Sequence, residues 1–156
     1  MKKVLFIAST GGHLNELLQL KALFKEYDSY LITEKDKSTE SLQIEGIKET
    51  KYLAYGTRSK ILVYPFIFIY NCFKSLFYYF KIKPKVIITT GIHTAVPMCY
   101  IGKLFGSKII FIETFANRNT KTLSGRMVYP ISDLFIVQWK EMQKLYPKYV
   151  YGGAIY

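Results

Sequence analysis

Val4-Leu5-Phe6-Ile7-Ala8-Ser9-Thr10-Gly11-Gly12-His13 is the stretch that decides the fold. Five apolar residues in a row leave no solvated face, as in a strand covered on both sides of a parallel sheet. A polar, glycine-rich break then hands the chain to a helix, predicted from His13 to Tyr27. Leu17, Leu20, Phe24 and Tyr27 share one face of it, with Leu23 at the edge and Leu14 and Leu18 off the stripe. The same signature recurs downstream. Val86–Thr90 runs into Gly91, with a helix over Ala95–Leu104 that holds Pro97 in its first turn. Lys108–Ile112 and Leu134–Val137 are further buried strands, and a short helix follows at Lys140–Leu145. Ser29–Thr33, Glu49–Leu53 and Tyr149–Tyr151 complete the predicted strands, and Glu34–Gly46 reads as loop with one short helix. Strands alternating with helices predict an α/β chain with a Rossmann-like doubly wound parallel sheet, one domain over residues 1–156.

Half of the residues are hydrophobic and 17% are aromatic, which excludes a disordered chain. The formal charge is +11, a surface that attracts nucleic acid, acidic headgroups or phosphorylated substrates. Arg58, Arg118 and Arg126 are the arginines; the other basic residues are lysine, which speaks against reading of DNA base edges. An AT-rich coding sequence would also enrich lysine. Cys72 and Cys99 stand apart in apolar runs and read as core residues of a reducing compartment. The first apolar run is too short for a secretory signal.

The unusual segment is Ile61–Phe80. Tyr64, Phe66, Phe68, Phe73 and Phe77 are among its aromatics, and Arg58 and Lys60 before it and Lys81, Lys83 and Lys85 after it bracket it with charge. Its length matches the about 20 residues of a spanning helix. Pro65, Asn71 and Lys74 interrupt it, and a lysine at mid-bilayer costs at least ~2.5 kcal/mol. The preferred reading is a helix with one face on the sheet and another in the membrane interface, where aromatics and lysines such as Lys74 settle. A helix buried all round and a true span are the alternatives.

Ligands of an open α/β sheet bind at the carboxyl ends of its strands. Gly11 and Gly12 allow close backbone approach, and N–H groups at a helix start favour a diphosphate. The spacing fits neither GxGxxG nor a phosphate loop, so a dinucleotide site and an NTPase are poorly supported. His13 at this mouth is a candidate general base, or else a capping residue. Thr90 and Gly91 close the next strong strand facing the same crevice, with His93 as a second, weaker candidate base. Glu113 follows Lys108–Ile112 and either orients a sugar hydroxyl or a histidine, or is a surface carboxylate. Arg118 and Arg126 offer planar forks for diphosphate, or are ordinary surface arginines. No carboxylate pair or His/Cys cluster has metal-ligand spacing, so metal catalysis is not indicated.

Taken in order, Ser9-Thr10-Gly11-Gly12-His13 with Glu16, Thr90-Gly91 with Pro97, and Glu113 through Arg118 form a pattern. Ser124-Gly125-Arg126, Tyr129, Asp133, Phe135, Val137-Gln138-Trp139, Tyr146-Pro147 and Tyr151-Gly152 extend it. It resembles the membrane-recruiting subunit of the split N-acetylglucosaminyltransferase of dolichol-linked oligosaccharide synthesis. It is still more similar to bacterial capsule and exopolysaccharide glycosyltransferase enhancers. The resemblance covers nearly the whole chain and implies the N-terminal half of a GT-B enzyme. It implies a subunit that binds a polyprenyl-diphosphate-linked saccharide at the cytoplasmic face of the cell membrane, as a peripheral protein. A small catalytic partner, the C-terminal half, then holds the UDP-sugar donor; no other cofactor is implied. The related single-chain peptidoglycan enzyme also has a Gly-Gly-His loop in its acceptor half, which places His13 near the acceptor. The eukaryotic subunit has an N-terminal membrane helix that this chain lacks, so attachment falls to residues 61–80. His93 stands where the family often has a small residue.

The expectation is therefore an inverting, metal-independent transferase subunit. His13 is its base or orienting group, Gly11, Gly12 and Arg118 bind diphosphate, and Glu113 meets the acceptor sugar or the partner. Val150–Tyr156 is the expected docking segment. A non-catalytic anchor and activator of a complete enzyme is the alternative. An RNA-binding module is a third reading with no motif behind it.

Overall fold

The computed structural model describes residues 1–56 and 63–155. Seven strands form one sheet: β1 (Lys3–Ala8), β2 (Asp28–Lys35), β3 (Ile47–Ala54), β4 (Val86–Gly91), β5 (Lys108–Ile112), β6 (Leu134–Val137) and β7 (Val150–Tyr151). Every pairing is parallel, and the order is β3-β2-β1-β4-β5-β6-β7. This is the expected Rossmann-like doubly wound sheet. The order reverses between β1 and β4. Loops leaving these two strands diverge to opposite sides, and in open sheets of this kind the carboxyl ends at such a reversal form the ligand crevice.

The helices are α1 (Gly12–Leu18), α2 (Lys21–Phe24), α3 (Tyr64–Ile82), α4 (Val96–Leu104) and α5 (Leu123–Val128). Alternate strand residues point to alternate faces, which gives two cores. Leu5, Ile7, Ile87, Ile109 and Phe111 meet Tyr79 and Ile82 of α3 and Met98 and Cys99 of α4. On the opposite face Val4, Phe6 and Leu31 meet Leu14, Leu17 and Phe24 of α1 and α2. Burial pushes the Cys99 thiol up to about 12, so it stays an inert core group; Cys72 is half-buried.

Some expectations need correction. The single helix over His13–Tyr27 is two short ones. Gln19 and Leu20 bond back three residues, to Glu16 and Leu17, and the tighter turn shifts the helical phase. Leu14 and Leu17, three apart on one face of α1, are both buried, whereas Leu20 past the break is half-buried. Glu34 and Lys35 belong to β2, not to a loop, and the following stretch is turn, pinned where the Thr39 hydroxyl donates to the Glu34 carbonyl at 2.7 Å. The predicted helix after β6 is 3-10 helical over Lys140–Lys144. Helix α5 was not expected. Thr122 caps it by accepting from Gly125 N–H at 2.9 Å, a helix-start signal that Thr122 followed by Leu123 carries in sequence.

Candidate functional site

At the order reversal, β1 ends in Ser9 and Thr10 and β4 ends in Gly91. Ser9 N–H donates to the Gly91 carbonyl at 3.2 Å, and the Ser9 and Thr94 hydroxyls share a bond of 2.7 Å. Gly91 has φ +105° and Gly11 has φ +83°, conformations that favour glycine. A side chain at Gly91 would also press on Ser124 Oγ at 3.1 Å and His13 Nδ1 at 3.5 Å. At Gly11 and Gly12 it would meet nothing within 4 Å, so this turn faces open space.

His13, in the first turn of α1, is locked to β4 from two sides. Its Nδ1 lies 2.8 Å from the Thr90 carbonyl oxygen, and the Thr90 hydroxyl donates to the His13 carbonyl at 2.7 Å. A carbonyl only accepts, so Nδ1 carries the hydrogen and the neutral ring keeps its lone pair on Nε2. Gly11, Gly12, His13, Thr90 and Gly91 are thus brought together. His93 stands on the β4 side of the crevice, edge-on to the Tyr64 ring at 5.3 Å, which joins the crevice to the start of α3.

Two carboxylates lie at strand ends inside the protein. Glu113 is 1% exposed and accepts from Thr122 at 2.8 Å, from Tyr146 at 2.7 Å and from the Thr114 N–H at 3.2 Å. Burial raises its pKa above the ordinary carboxylate value, against the lowering by Tyr146 and Thr122. It is not the surface carboxylate that spacing allowed. It ties β5 to the start of α5, where Ser124 stands beside Gly91. The close fit explains Gly125: a Cβ there would fall 2.4 Å from Glu113 Oε2. Glu34, which the sequence reading left in a loop, is also buried. It accepts weakly from the Thr10 N–H and hydroxyl at 3.4 and 3.3 Å, and burial raises its pKa. Its position at a strand end was the missed signal. Glu16 joins α1 to the loop after β5 by accepting from Thr114 Oγ1 at 2.8 Å.

Arg118 lies outside this knot. Its exposed guanidinium forks onto Glu141 at 3.1 and 2.7 Å and lies over the Trp139 ring. Arg126 is exposed on α5, and Arg58 lies outside the described residues. Among the described residues, no group of three or more His, Cys, Asp and Glu is placed to hold a metal ion.

Helix α3 turns its aromatics outward. Phe66, Phe73 and Phe77 are 73%, 70% and 64% exposed, and Ile69, Tyr70 and Phe80 complete the stripe. Tyr64 and Phe68 are half-buried and stacked at 6.3 Å; Lys74 is half-buried, its ammonium over the Tyr70 and Tyr78 rings. The sequence reading missed the extension of this surface. Tyr100 and Leu104 of α4, Phe105, and Leu123 and Met127 of α5 are exposed too, and the Tyr100 hydroxyl donates to the Met127 carbonyl. The helix is therefore not buried all round. Among the described residues, no helix is long and apolar enough to cross a membrane. Ile61, Leu62 and Lys60 lie outside the described residues.

The family of oligosaccharide biosynthesis proteins described as Alg14-like matches residues 4–155. The chain belongs to the Alg14-like family. It is 30% identical to the rat UDP-N-acetylglucosamine transferase subunit ALG14, over 97% of this chain and 82% of that one. The Candida albicans subunit of the same name is 30% identical over 96% and 76%. Among solved structures, MurG of Acinetobacter baumannii superimposes with a TM-score of 0.70 at 15% identity. A UDP-GlcNAc 2-epimerase from Methanocaldococcus jannaschii does so with 0.67 at 13%. The Alg14-like chain covers about nine-tenths of itself in both cases, but only 43% and 41% of those longer proteins, so they establish the fold alone. The capsule and exopolysaccharide setting expected from sequence is replaced by the family's own description, oligosaccharide biosynthesis.

In the Alg14-like chain the expected docking segment lies against its own domain. β7 is the sheet edge, and Ile155 N–H donates to Gln138 Oε1 at 3.0 Å while its side chain packs on the α1 face. Tyr156 is outside the described residues.

Proposed function

We propose that this chain is the acceptor-binding, membrane-recruiting subunit of a two-component glycosyltransferase. The observation that carries the reading is the meeting of the Gly11-Gly12-His13 turn with Thr90-Gly91 in one crevice, beside the start of an outward-facing aromatic helix. The donor is UDP-N-acetylglucosamine, as the relatives' names indicate, held by a separate subunit equivalent to a GT-B C-terminal half. The acceptor is a polyprenyl-diphosphate-linked saccharide at the cytoplasmic membrane face. Gly11 and Gly12 offer it backbone N–H groups. His13 Nε2 takes the proton from the attacking hydroxyl in an inverting, metal-independent transfer, with Thr90 holding the ring. Arg118 joins by leaving Glu141; an exposed pair of that kind contributes under about 1 kcal/mol, so a diphosphate competes well for it. Glu113 acts by holding the start of α5 against the crevice, and Val150–Tyr156 leads toward the partner.

The test is transfer of labelled N-acetylglucosamine from its UDP donor to lipid acceptor in membranes, with this chain, the partner and both. Activity only with both supports the split enzyme; equal activity without this chain rejects it. Positioned general bases contribute about 10²–10⁴-fold, so His13→Ala should lose roughly that factor in turnover while still assembling. A second reading is favoured by the way His13, Glu113 and Arg118 are already engaged by protein groups: a non-catalytic anchor and activator. Full turnover of the His13→Ala complex would select it.

A further inference from the structure

A second concave site lies at the opposite end of the molecule from the crevice. Between the end of α3 and the turn after α4 is a cavity of about 280 Å³, lined by Tyr79, Phe80, Lys83, Pro84, Lys85 and Phe105 with Gly106. That is just below the about 300–1,000 Å³ of most ligand cavities. Lys83 ends α3 with φ 53°, and this left-handed turn brings Lys83 and Lys85 to either side of Pro84. Lys85 is fixed by its N–H, which donates to the Lys3 carbonyl at 2.9 Å.

The charge around the cavity is one-sided. No carboxylate lines it, and among the described residues neither Lys83 nor Lys85 takes part in an ion pair. Asp133 is committed to Lys103 at 3.0 Å and Lys108 at 2.9 Å, and Glu49 to Lys51 and Lys81. The carbonyl end of α3 adds partial negative charge, equivalent to about half an electron, which two ammonium groups outweigh. The walls are apolar and continuous with the outward stripe: the rings of Phe80 and Phe105 meet at 4.9 Å, and both are about half exposed. Phe80 lies seven residues, two helical turns, beyond Phe73 on the same side of α3. A cation pair over an aromatic shelf that runs into an exposed apolar face matches one ligand, the headgroup phosphate of an anionic lipid in the membrane that this face meets.

We propose that Lys83 and Lys85 bind the phosphate of an anionic phospholipid, as a headgroup site separate from the acceptor crevice. This rests on the membrane-recruiting reading above. The site anchors the far end of α3, so that the whole helix lies along the membrane while the Tyr64 end stays next to the crevice.

The experiment is co-sedimentation of the full chain with two vesicle types: phosphatidylcholine alone, and phosphatidylcholine mixed with phosphatidylglycerol. A basic residue near an anionic membrane contributes about 1 kcal/mol. Lys83→Gln with Lys85→Gln should therefore weaken partition onto the mixed vesicles about 30-fold and leave the neutral ones unchanged. Lys21→Gln with Lys25→Gln removes the same charge from the opposite face of the sheet and should change neither. Equal losses from both pairs, or no loss from the first, would overturn the headgroup site. Excess inorganic phosphate at constant ionic strength competes for the same two lysines and should reduce the lysine-dependent gain; no reduction would overturn a phosphate site and leave only diffuse charge attraction. If the unmodified chain sediments with neither vesicle, the membrane reading itself falls and this inference with it. Binding without lysine dependence removes this inference alone.

Discussion

Asn71 and Phe73 stand two residues apart on α3 and have opposite environments. Asn71 is buried, and its side-chain amide donates to the Ala54 carbonyl and accepts from the Ala54 N–H, both at 2.9 Å. Phe73 is exposed. Ser75 and Tyr79 continue the inner face, while Phe77 and Phe80 continue the outer one. An ordinary surface helix reverses this arrangement, with its apolar stripe on the core. The crevice shows a milder form of the same contrast. Glu113 is closed in by Thr122, Tyr146 and Thr114, whereas the Gly11–Gly12 turn faces open space. Polar groups committed inside the chain hold the fold. Apolar rings and open backbone left outside mark surfaces shaped for something other than water, because an apolar patch of this extent is rare on a solitary soluble protein.

The sharpest way to break the comparison is on the inner face. Asn71→Leu removes both partners of Ala54 at the end of β3. Each backbone group left unpaired costs about 1–3 kcal/mol, so the total loss should be about 2–6 kcal/mol, read as a lower urea midpoint with an unchanged slope. A change under about 0.5 kcal/mol, typical of surface positions, would mean that Asn71 is not structural and that the contrast between the two faces is one of exposure only.

The outer face should respond the other way. A Phe side chain contributes about 1.5–3 kcal/mol when fully removed from water. If half of that is realised at a membrane interface, Phe73→Ser with Phe77→Ser weakens partition onto neutral vesicles roughly 10- to 100-fold. The urea midpoint should stay the same or rise, since neither ring supports the core. Unchanged partition would show that the stripe serves a different partner; a large fall in stability would show that the rings support the fold after all.

How far this contrast was legible in sequence depended on the element. Apolar runs such as Lys108–Ile112 and Leu134–Val137 gave their strands to the residue, because a strand covered on both faces has an unbroken signal. Pro97 in the first turn of α4 marked that helix start. Residues 61–80 announced a helix with an unusual exterior, but not which of its residues faced in. Its inner face is chosen by Asn71 meeting Ala54, a contact between distant segments. The break at Gln19–Leu20 was hidden because leucines on both sides fit a continuous stripe nearly as well. In the crevice, Gly11 to His13 and Thr90 to Gly91 were readable as strand ends facing each other. Glu34 was not, since a glutamate beside Lys35 and Asp36 looks like solvated loop until β2 is seen to run through it.

Glu34 lies between the two classes, a buried carboxylate whose partners are weak, and it offers the smallest and most discriminating test. Burial raises its pKa above 4.5, more than the bonds from Thr10 lower it. Between 4.5 and the raised value the folded chain keeps a proton that the unfolded chain has released. Its stabilising contribution is therefore complete below pH 4.5 and is lost as pH rises through the folded value. Glu34→Gln cannot titrate, so the unmodified chain should lose stability relative to this variant as pH rises from 4.5 toward neutrality. Urea midpoints of both proteins across that range measure the difference, and the same-sign contribution of Glu113 is common to both and cancels. Parallel curves would show that water or Thr10 fully satisfies the ionised carboxylate, so that its burial carries no cost. Diverging curves would identify it as a group the fold holds at a cost beside the Gly11–His13 turn, with Thr10 as the link to the crevice.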